Sequence, residues 1–178
     1  MKKTVNIYTD GACSGNQNEE NTGGWGAVLE YAGKEKELCG GEENTTNNRM
    51  ELTALLEALG ALKESGLKLN IFSDSSYLIN CFKNEWYVKW RENGWKNSKK
   101  QPVENKDLWE KLLALLEKHD VEFFLVKGHL GVPTEADYKK FKEHNGERFS
   151  FADFAKISEY NNRCDSLANV FIKEKQKV

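Results

Sequence analysis

The sequence predicts an α/β fold, with a mixed sheet of about five strands and helices packed on its faces. Apolar residues first alternate as they do in strands, then recur at helical spacing, and then return to the strand pattern. The later strand segments are separated by helical segments, and crossover connections of this kind join parallel strands. We therefore expect a sheet that is antiparallel at its start and parallel later.

Three strands are predicted near the N-terminus, at residues 5–9, 25–31 and 35–41, because the first alternates in a strand-like pattern and the other two follow glycine-containing breaks. Apolar residues at helical spacing then predict a helix from Asn48 to near Gly66. The remaining predicted elements are a strand at 69–73, a short helix from about Ser75, a helix at 107–118, a strand at 121–126 and a final helix at 163–175.

Length and composition narrow the class of protein. The 178 residues, 39% of them hydrophobic, suffice for one core, so residues 1–178 are interpreted as one domain. The net charge of -2 means that a nucleic-acid role must rest on local clusters. The four cysteines (Cys13, Cys39, Cys81, Cys164) form no CxxC pair, which argues against a zinc site and a disulfide framework. Without a signal core or an apolar run of ~20 residues, we expect a cytoplasmic protein that avoids membranes.

Two acidic residues follow predicted strands. Asp10 comes where the first strand is expected to end, and Asp74 directly follows the strand at 69–73. If these strands pair in parallel, both carboxylates leave the same edge of the sheet about 5 Å apart. Two carboxylates at that distance repel each other unless a cation lies between them.

Glu51 is the third candidate, because positions 51, 55, 58 and 62 form one helical stripe whose other members are apolar. A carboxylate on a core-facing stripe needs a partner. A structural alternative stays open: with Asn48 as N-cap, Glu51 would complete a capping box or favour the helix dipole. Asp165, near the start of the last helix, has a similar alternative as an ordinary first-turn acid.

Four acids that converge would suit hard divalent cations, which prefer oxygen ligands. Two ions about 3.5 to 4 Å apart could activate water and stabilise the leaving oxygen of a phosphodiester. Without metal, repulsion among the acids should raise some of their pKa values and make them titrate jointly.

Five short motifs occur in an order that closely resembles type 1 ribonuclease H. They are Tyr8-Thr9-Asp10-Gly11-Ala12, Thr45-Thr46-Asn47-Asn48-Arg49-Met50-Glu51-Leu52, Ser73-Asp74-Ser75, Lys127-Gly128-His129 and Asn162-Arg163-Cys164-Asp165-Ser166-Leu167-Ala168. The resemblance covers nearly the whole chain except about residues 132–160.

The resemblance implies the ribonuclease H fold, with sheet order 3-2-1-4-5 and helices on both faces. It implies that Asp10, Glu51, Asp74 and Asp165 hold two Mg²⁺ ions, for which Mn²⁺ could substitute. The implied activity is hydrolysis of the RNA strand of an RNA/DNA hybrid, leaving 3′-hydroxyl and 5′-phosphate ends, by a monomer that needs no protein partner. Integrases and junction-cutting nucleases share the fold and remain alternatives, as does a hybrid-binding module without catalysis.

His129 lies in a glycine-flanked loop after a strand, where a lone histidine is often simply solvated. By resemblance, it assists proton transfer or product release near the second ion, a task that suits its near-neutral intrinsic pKa. It is expected to tune the rate rather than to enable the chemistry.

A basic segment, residues 83–106, carries seven basic and three acidic residues with interleaved aromatics. Trp86 and Trp90 share a helix face, and one alternative is that at least one of them packs in the core. The functional interpretation, which the resemblance supports, is a protrusion that grips the DNA strand electrostatically through Trp86, Trp90, Arg91, Trp95 and Lys96.

Recognition of RNA requires contacts to 2′-hydroxyls in the wide, shallow minor groove. By resemblance, Cys13, Ser14, Asn16 and Asn47 line that groove, whereas Thr46 and Asn48 approach the DNA strand. Short polar residues at helix starts are equally common as caps. Ser76 stands where the family often has a longer amide, so one base-edge contact is expected to be absent.

Residues 132–160 are interpreted as an insertion of short helices, at about 135–144 and 152–160, because the segment is too aromatic for a disordered linker. One hypothesis is that it packs beside the active site and limits the mobility of His129 and Asp165. A neutral surface insertion is the alternative.

Overall fold

The computed structural model describes residues 2–15 and 21–177 and confirms the predicted fold class. The five-stranded sheet has the order β3-β2-β1-β4-β5, as the resemblance implied. β1 pairs antiparallel with β2 and parallel with β4, β2 pairs antiparallel with β3, and β4 pairs parallel with β5. The strands are β1 (Thr4–Ser14), β2 (Thr22–Tyr31), β3 (Lys34–Glu43), β4 (Lys68–Ser73) and β5 (Asp120–Leu125).

The first strand is longer than predicted. β1 continues through Asp10 to Ser14, because residues 11–14 pair with residues 22–25 of β2 after the parallel pairing with β4 has ended at Thr9 and Ser73. The prediction that the strand ends at Asp10 was therefore wrong. Asp10 instead marks the point where β1 loses its β4 neighbour, which leaves its side chain free to face a cleft.

Helices cover both faces of the sheet. They are α1 (Asn47–Gly60), α2 (Ser76–Lys83), α3 (Trp86–Glu92), α4 (Lys106–Leu116), α5 (Glu135–Asn145) and α6 (Phe151–Gln176). Alternate strand residues bury on opposite sides: Ile7 packs in a cluster with α1, α2 and α4, whereas Tyr8 packs in a second cluster with α5 and α6. The alternation follows from the two-residue period of a strand.

Helix α1 differs from its prediction at both ends. Its N-cap is Thr46, whose hydroxyl accepts a hydrogen bond from the backbone N–H of Arg49, and not Asn48. It ends at Gly60 rather than near Gly66. With Thr46 as N-cap, Glu51 lies beyond the third helical position, so the capping-box alternative for Glu51 was wrong.

The segment 132–160 contributes to the core. α5 agrees with the helix predicted at 135–144, but the helices predicted at 152–160 and 163–175 are one continuous helix, α6. No proline or glycine interrupts residues 151–176, and a capping box at Ser150 and Asp153 starts the helix. Phe141 and Phe154 are buried with ring centroids 5.0 Å apart, so the segment is built into the second cluster.

Within residues 2–15 and 21–177, no helix combines the length and the apolar character needed to cross a membrane.

Candidate active site

A cleft of about 550 Å³ opens where β1 and β4 diverge. It is lined by residues from both strands, the starts of α1 and α2, the loop after β5, and the middle of α6: Asp10, Gly11, Ala12, Cys13, Asn47, Asn48, Glu51, Asp74, Ser75, Ser76, Tyr77, His129, Asp165 and Asn169. All five residues predicted to be catalytic therefore face one cleft.

Asp10 and Asp74 lie as the strand geometry predicted, one residue beyond the last parallel pair, Thr9 and Ser73. The Asp10 side chain is 4% exposed, and one of its oxygens accepts a hydrogen bond of 2.9 Å from the N–H of Gly11. Asp74 is half-buried. Ser75, the next residue, caps α2 by accepting a hydrogen bond from Leu78 N–H, so a strand and a helix start hold Asp74 between them.

Glu51 reaches these acids because α1 lies unusually close to β1. A Cβ atom on Gly11 would stand 2.5 Å from the backbone nitrogen of Glu51, so only glycine permits this approach. One oxygen from each of Asp10, Glu51 and Asp74 lies within 4.8 Å of the others. Glu51 is 7% exposed, and its Oε2 finds no hydrogen-bond partner among the described residues.

Asp10, Glu51 and Asp74, which we call the acidic trio, all have raised pKa values. Burial, with the charges of Asp74 and Asp165 added, raises the pKa of Asp10 to about 8. Burial likewise raises the pKa of Glu51 well above its usual range, and Asp10 and Asp74 add to the effect. The pKa of Asp74 is also raised, mainly by burial. Three carboxylates in this arrangement can all ionise only if positive charge joins them.

Asp165 and His129 form the outer wall of the cleft. Asp165 is placed by α6, which lies so close to β2 that a Cβ on Gly26 would stand 2.5 Å from the carbonyl oxygen of Cys164. The Asp165 side chain is 31% exposed, and its Oδ2 is 3.7 Å from Nδ1 of His129. His129 is 74% exposed and has a φ of 57°, a left-handed conformation that turns its side chain over the cleft mouth.

The residues predicted to contact substrate divide into two groups. Cys13, Asn47, Asn48 and Ser76 line the catalytic cleft, and a second depression of about 640 Å³ is lined by Cys13 with Thr46 and its neighbours. Ser14 ends β1 beside that depression. Asn16 lies outside the described residues.

The basic segment is only partly free to bind. Trp90 packs against the core with its ring centroid 5.5 Å from that of Trp109, which confirms the packing alternative for one of the two tryptophans. The Trp95 ring is tilted against that of Trp90 with centroids 6.1 Å apart, and Arg91 pairs with Glu117 at 3.0 Å. Trp86 is 38% exposed, and Lys96 is exposed.

Two asparagines of α6 were not singled out from the sequence. Asn169 lines the cleft and donates a hydrogen bond of 2.8 Å to the carbonyl of Asp165, and its four-residue spacing from Asp165 could have indicated it. Asn162 donates a hydrogen bond of 2.9 Å to the carbonyl of Leu130, the residue after His129. No sequence signal indicates that contact, because it joins a helix to a loop 32 residues away.

Comparisons with known proteins agree with this geometry. A family model described as RNase H matches residues 2–172. The chain is 50% identical to the Ribonuclease H of Thermoanaerobacter pseudethanolicus over 95% of this chain and 90% of that protein. It is 46% identical to the Ribonuclease H of Moorella thermoacetica over 96% of this chain and 92% of that one.

Solved structures extend the comparison. LC9-RNase H1, a type 1 RNase H with the type 2 active-site motif, superposes with a TM-score of 0.65 at 31% identity and covers 80% of this chain and 70% of its own. LC11-RNase H1, solved in complex with an RNA/DNA hybrid, superposes with a TM-score of 0.60 over 97% of this chain and 99% of its own, and at 19% identity shares the fold alone. With the sheet order, the acids and the matched sequence in agreement, the chain belongs to the type 1 ribonuclease H family.

Proposed function

We propose that this protein is an endoribonuclease that hydrolyses the RNA strand of an RNA/DNA hybrid with two divalent metal ions. The observation that carries the proposal is the acidic trio, whose clustered carboxylates repel one another and include a buried oxygen that has no hydrogen-bond partner within residues 2–15 and 21–177. Relatives 46% to 50% identical bear the name Ribonuclease H, and a structural neighbour was solved with an RNA/DNA hybrid.

The donor set fits Mg²⁺. All the candidate ligands are carboxylate oxygens, which hard cations prefer, and the nearby histidine lies at the rim rather than within the trio. Glu51 Oε2 supports the fit, because a buried oxygen without a hydrogen bond costs free energy that a cation would offset. Mn²⁺ takes the same oxygen ligands and is expected to substitute for Mg²⁺.

Asp10, Glu51, Asp74 and Asp165 would hold the ions. When bound, two such ions supply an activated water and stabilise charge on the leaving oxygen, and the expected products end in 3′-hydroxyl and 5′-phosphate groups. Asp10 and Asp74 would hold the ions from the ends of the paired segments of two adjacent strands, whereas the Asp165 side chain, which is 31% exposed, would hold them from the rim. His129 can take or release a proton at the rim, where water and departing product pass.

The rest of the cleft suits a nucleic-acid backbone. Asn47 and Asn48 at the start of α1 and Ser76 at the start of α2 present short polar side chains on two sides of the acids. Side chains of this kind can donate and accept hydrogen bonds with 2′-hydroxyls in a shallow minor groove, which would separate RNA from DNA. Trp86 and Lys96 would contact the DNA strand without regard to sequence.

The deciding experiment presents purified protein with a labelled RNA/DNA hybrid, the matched double-stranded RNA and the matched double-stranded DNA, each with Mg²⁺, Mn²⁺ or EDTA. We expect metal-dependent cutting of the hybrid's RNA strand alone. Equal cleavage of either homoduplex would contradict the substrate, and cleavage in EDTA would contradict the metal requirement. Ligation or kinase labelling of the products, with and without prior phosphatase treatment, identifies the ends.

A further inference from the structure

A further pocket, of about 320 Å³ and distinct from the depression beside Thr46, lies next to the catalytic cleft and shares two of its lining residues, Asp74 and Ser76. We call it the α5 pocket, because one face of α5 forms its outer wall. Its other lining residues are Leu125, Val126, Lys127, Gly128, Asp137, Lys140, Phe141, His144 and Phe154. A nucleic-acid strand that leaves the catalytic cleft on this side would pass directly over this pocket.

The outer wall of this pocket is fixed to the sheet. The side-chain amide of Asn145 accepts a hydrogen bond of 3.1 Å from Leu125 N–H and donates one of 2.7 Å to the Leu125 carbonyl, as a neighbouring strand would. Phe141 is 5% exposed and Phe154 is 1% exposed, so they anchor the helix from below. The pocket is therefore largely preformed, as small-ligand sites usually are.

Two lysines stand at this pocket without an acidic partner. Lys127 and Lys140 are exposed, and neither comes within 4.0 Å of a carboxylate in the part of the chain that the structure describes. The carboxylate of Asp137 is already engaged, since it accepts hydrogen bonds from both the N–H and the hydroxyl of Thr134.

The local charge would favour binding of an anion once metal ions occupy the catalytic site. The pKa of Asp137 is lowered first by its hydrogen bond to Thr134 and then by the charges of Lys127 and Lys140, so these groups share one neighbourhood. Asp74 also faces the pocket, but divalent ions held by the trio would offset its charge. The ammonium groups of Lys127 and Lys140 then border a pocket whose interior is lined by apolar side chains, including Val126 and Phe141.

We propose that the α5 pocket binds a nucleotide of the RNA strand next to the scissile bond, with its phosphate between Lys127 and Lys140. A nucleotide has both features the pocket requires, an anionic phosphate and the apolar face of a base. The strand is RNA rather than DNA, because the pocket continues from the acids that would cut the RNA. This inference rests on the proposed function and extends it to a substrate contact made by residues 134–145.

The test measures kcat and KM for hybrid cleavage in Mg²⁺ over a range of KCl concentrations. Lys140→Ala and Lys127→Ala are each expected to raise KM about three- to tenfold, to leave kcat nearly unchanged, and to make the dependence of log(kcat/KM) on log[KCl] shallower by about 1. Lys139→Ala is the matched control, because Lys139 is an exposed lysine one residue away on α5 that does not line the pocket.

A second experiment identifies which strand of the hybrid contacts the α5 pocket. Hybrids carry one uncharged methylphosphonate linkage at successive positions of either strand, and the effect of Lys140→Ala should disappear at one position of the RNA near the cut. If Lys140→Ala and Lys139→Ala behave alike while the wild type cuts the hybrid normally, the pocket assignment is wrong and the proposed function stands. If the coupled position lies in the DNA strand, the RNA assignment is wrong. Failure of the wild type to cut the hybrid would overturn both proposals.

Discussion

Asp10, Glu51 and Asp74 are held below the surface by two strands and a closely packed helix, whereas Asp165 and His129 stand at the rim of the same cleft, within reach of water. In the trio, burial raises the pKa values, and Glu51 Oε2 has no hydrogen-bond partner in the described part of the chain. At the rim, the two side chains are 31% and 74% exposed.

The difference separates two requirements of the site. The trio stores an unfavourable electrostatic energy that cations can relieve, so it should govern metal binding and the existence of activity. The rim pair is exposed to water and lies outside the cluster of three acids, so it should govern rate. Each of the following changes tests that division, in descending order of expected effect.

Asp10→Asn should lower kcat by about a thousandfold or more, because it removes the negative charge of a buried carboxylate ligand, which costs several kcal/mol of metal stabilisation. Asp165→Asn, at the rim, should lower kcat by a clearly smaller factor. Steady-state kinetics in Mg²⁺ measures both, with Asp120→Asn as the control because Asp120 is exposed at the start of β5. Equal losses for Asp10→Asn and Asp165→Asn would erase the distinction between trio and rim.

The metal-free protein should lose stability as the pH rises from about 4 to about 8. The pKa of Asp10 is raised from 3.8 to about 8 on folding, so the folded state holds a proton that the unfolded state has released across this window. The loss should be on the order of a few kcal/mol, given that several acids titrate together. Thermal melts in EDTA at several pH values measure it.

Two additions sharpen that measurement. Mg²⁺ should raise the melting temperature more at pH 8 than at pH 5, and Asp10→Asn should flatten the metal-free profile. A metal-free protein whose melting temperature rises steadily between pH 5 and pH 8 would contradict the repulsion among the trio.

His129→Ala should lower kcat by about ten- to a hundredfold while KM stays nearly constant, because an exposed group that moves protons at the rim aids turnover rather than binding. Lys118→Ala is the control, since Lys118 is exposed and lines neither the catalytic cleft nor the α5 pocket. A loss as large as that of Asp10→Asn would mean that the histidine enables the chemistry.

Asn162→Ala should have the smallest effect, about a two- to fivefold fall in kcat, the size expected from one neutral hydrogen bond. Asn162 holds the carbonyl of Leu130, so its loss should act only by loosening the His129 loop. The check is a double-mutant cycle: in the His129→Ala background, Asn162→Ala should change kcat no further. An undiminished effect in that background would give Asn162 a role independent of the histidine.

The three acids of the trio could be predicted from the sequence to different degrees. Asp10 and Asp74 followed from the parallel pairing of two predicted strands, which depends on local patterns, although β1 does not end at Asp10. Glu51 was recognised on an apolar stripe, but its capping alternative could be rejected only when Thr46 proved to be the N-cap. Its approach to β1 depends on Gly11, and sequence patterns do not reveal how closely two elements pack.

Other features lay outside the reach of sequence patterns. The glycine-rich residues of β1 and β2 suggested breaks, although the two strands pair through them. Two contacts join residues that are remote in sequence: the hydrogen bond that Trp109 Nε1 donates to the Tyr77 hydroxyl, and the hydrogen bond that Leu125 N–H donates to Asn145 at the edge of the sheet. The segment between His129 and Asp165 was interpreted as an insertion that either packs beside the active site or is neutral on the surface, and sequence patterns did not reveal that its aromatic residues belong to the second cluster.

The continuity of α6 restricts how this part of the chain can change in length. Asp165 lies fourteen positions after Phe151 within one unbroken helix. Inserting or deleting a single residue between them would rotate Asp165 by about 100° around the helix axis and shift it by about 1.5 Å. Length variation among relatives should therefore collect before Ser150, in the turn that joins α5 to α6, where an added residue leaves the register of the last carboxylate intact.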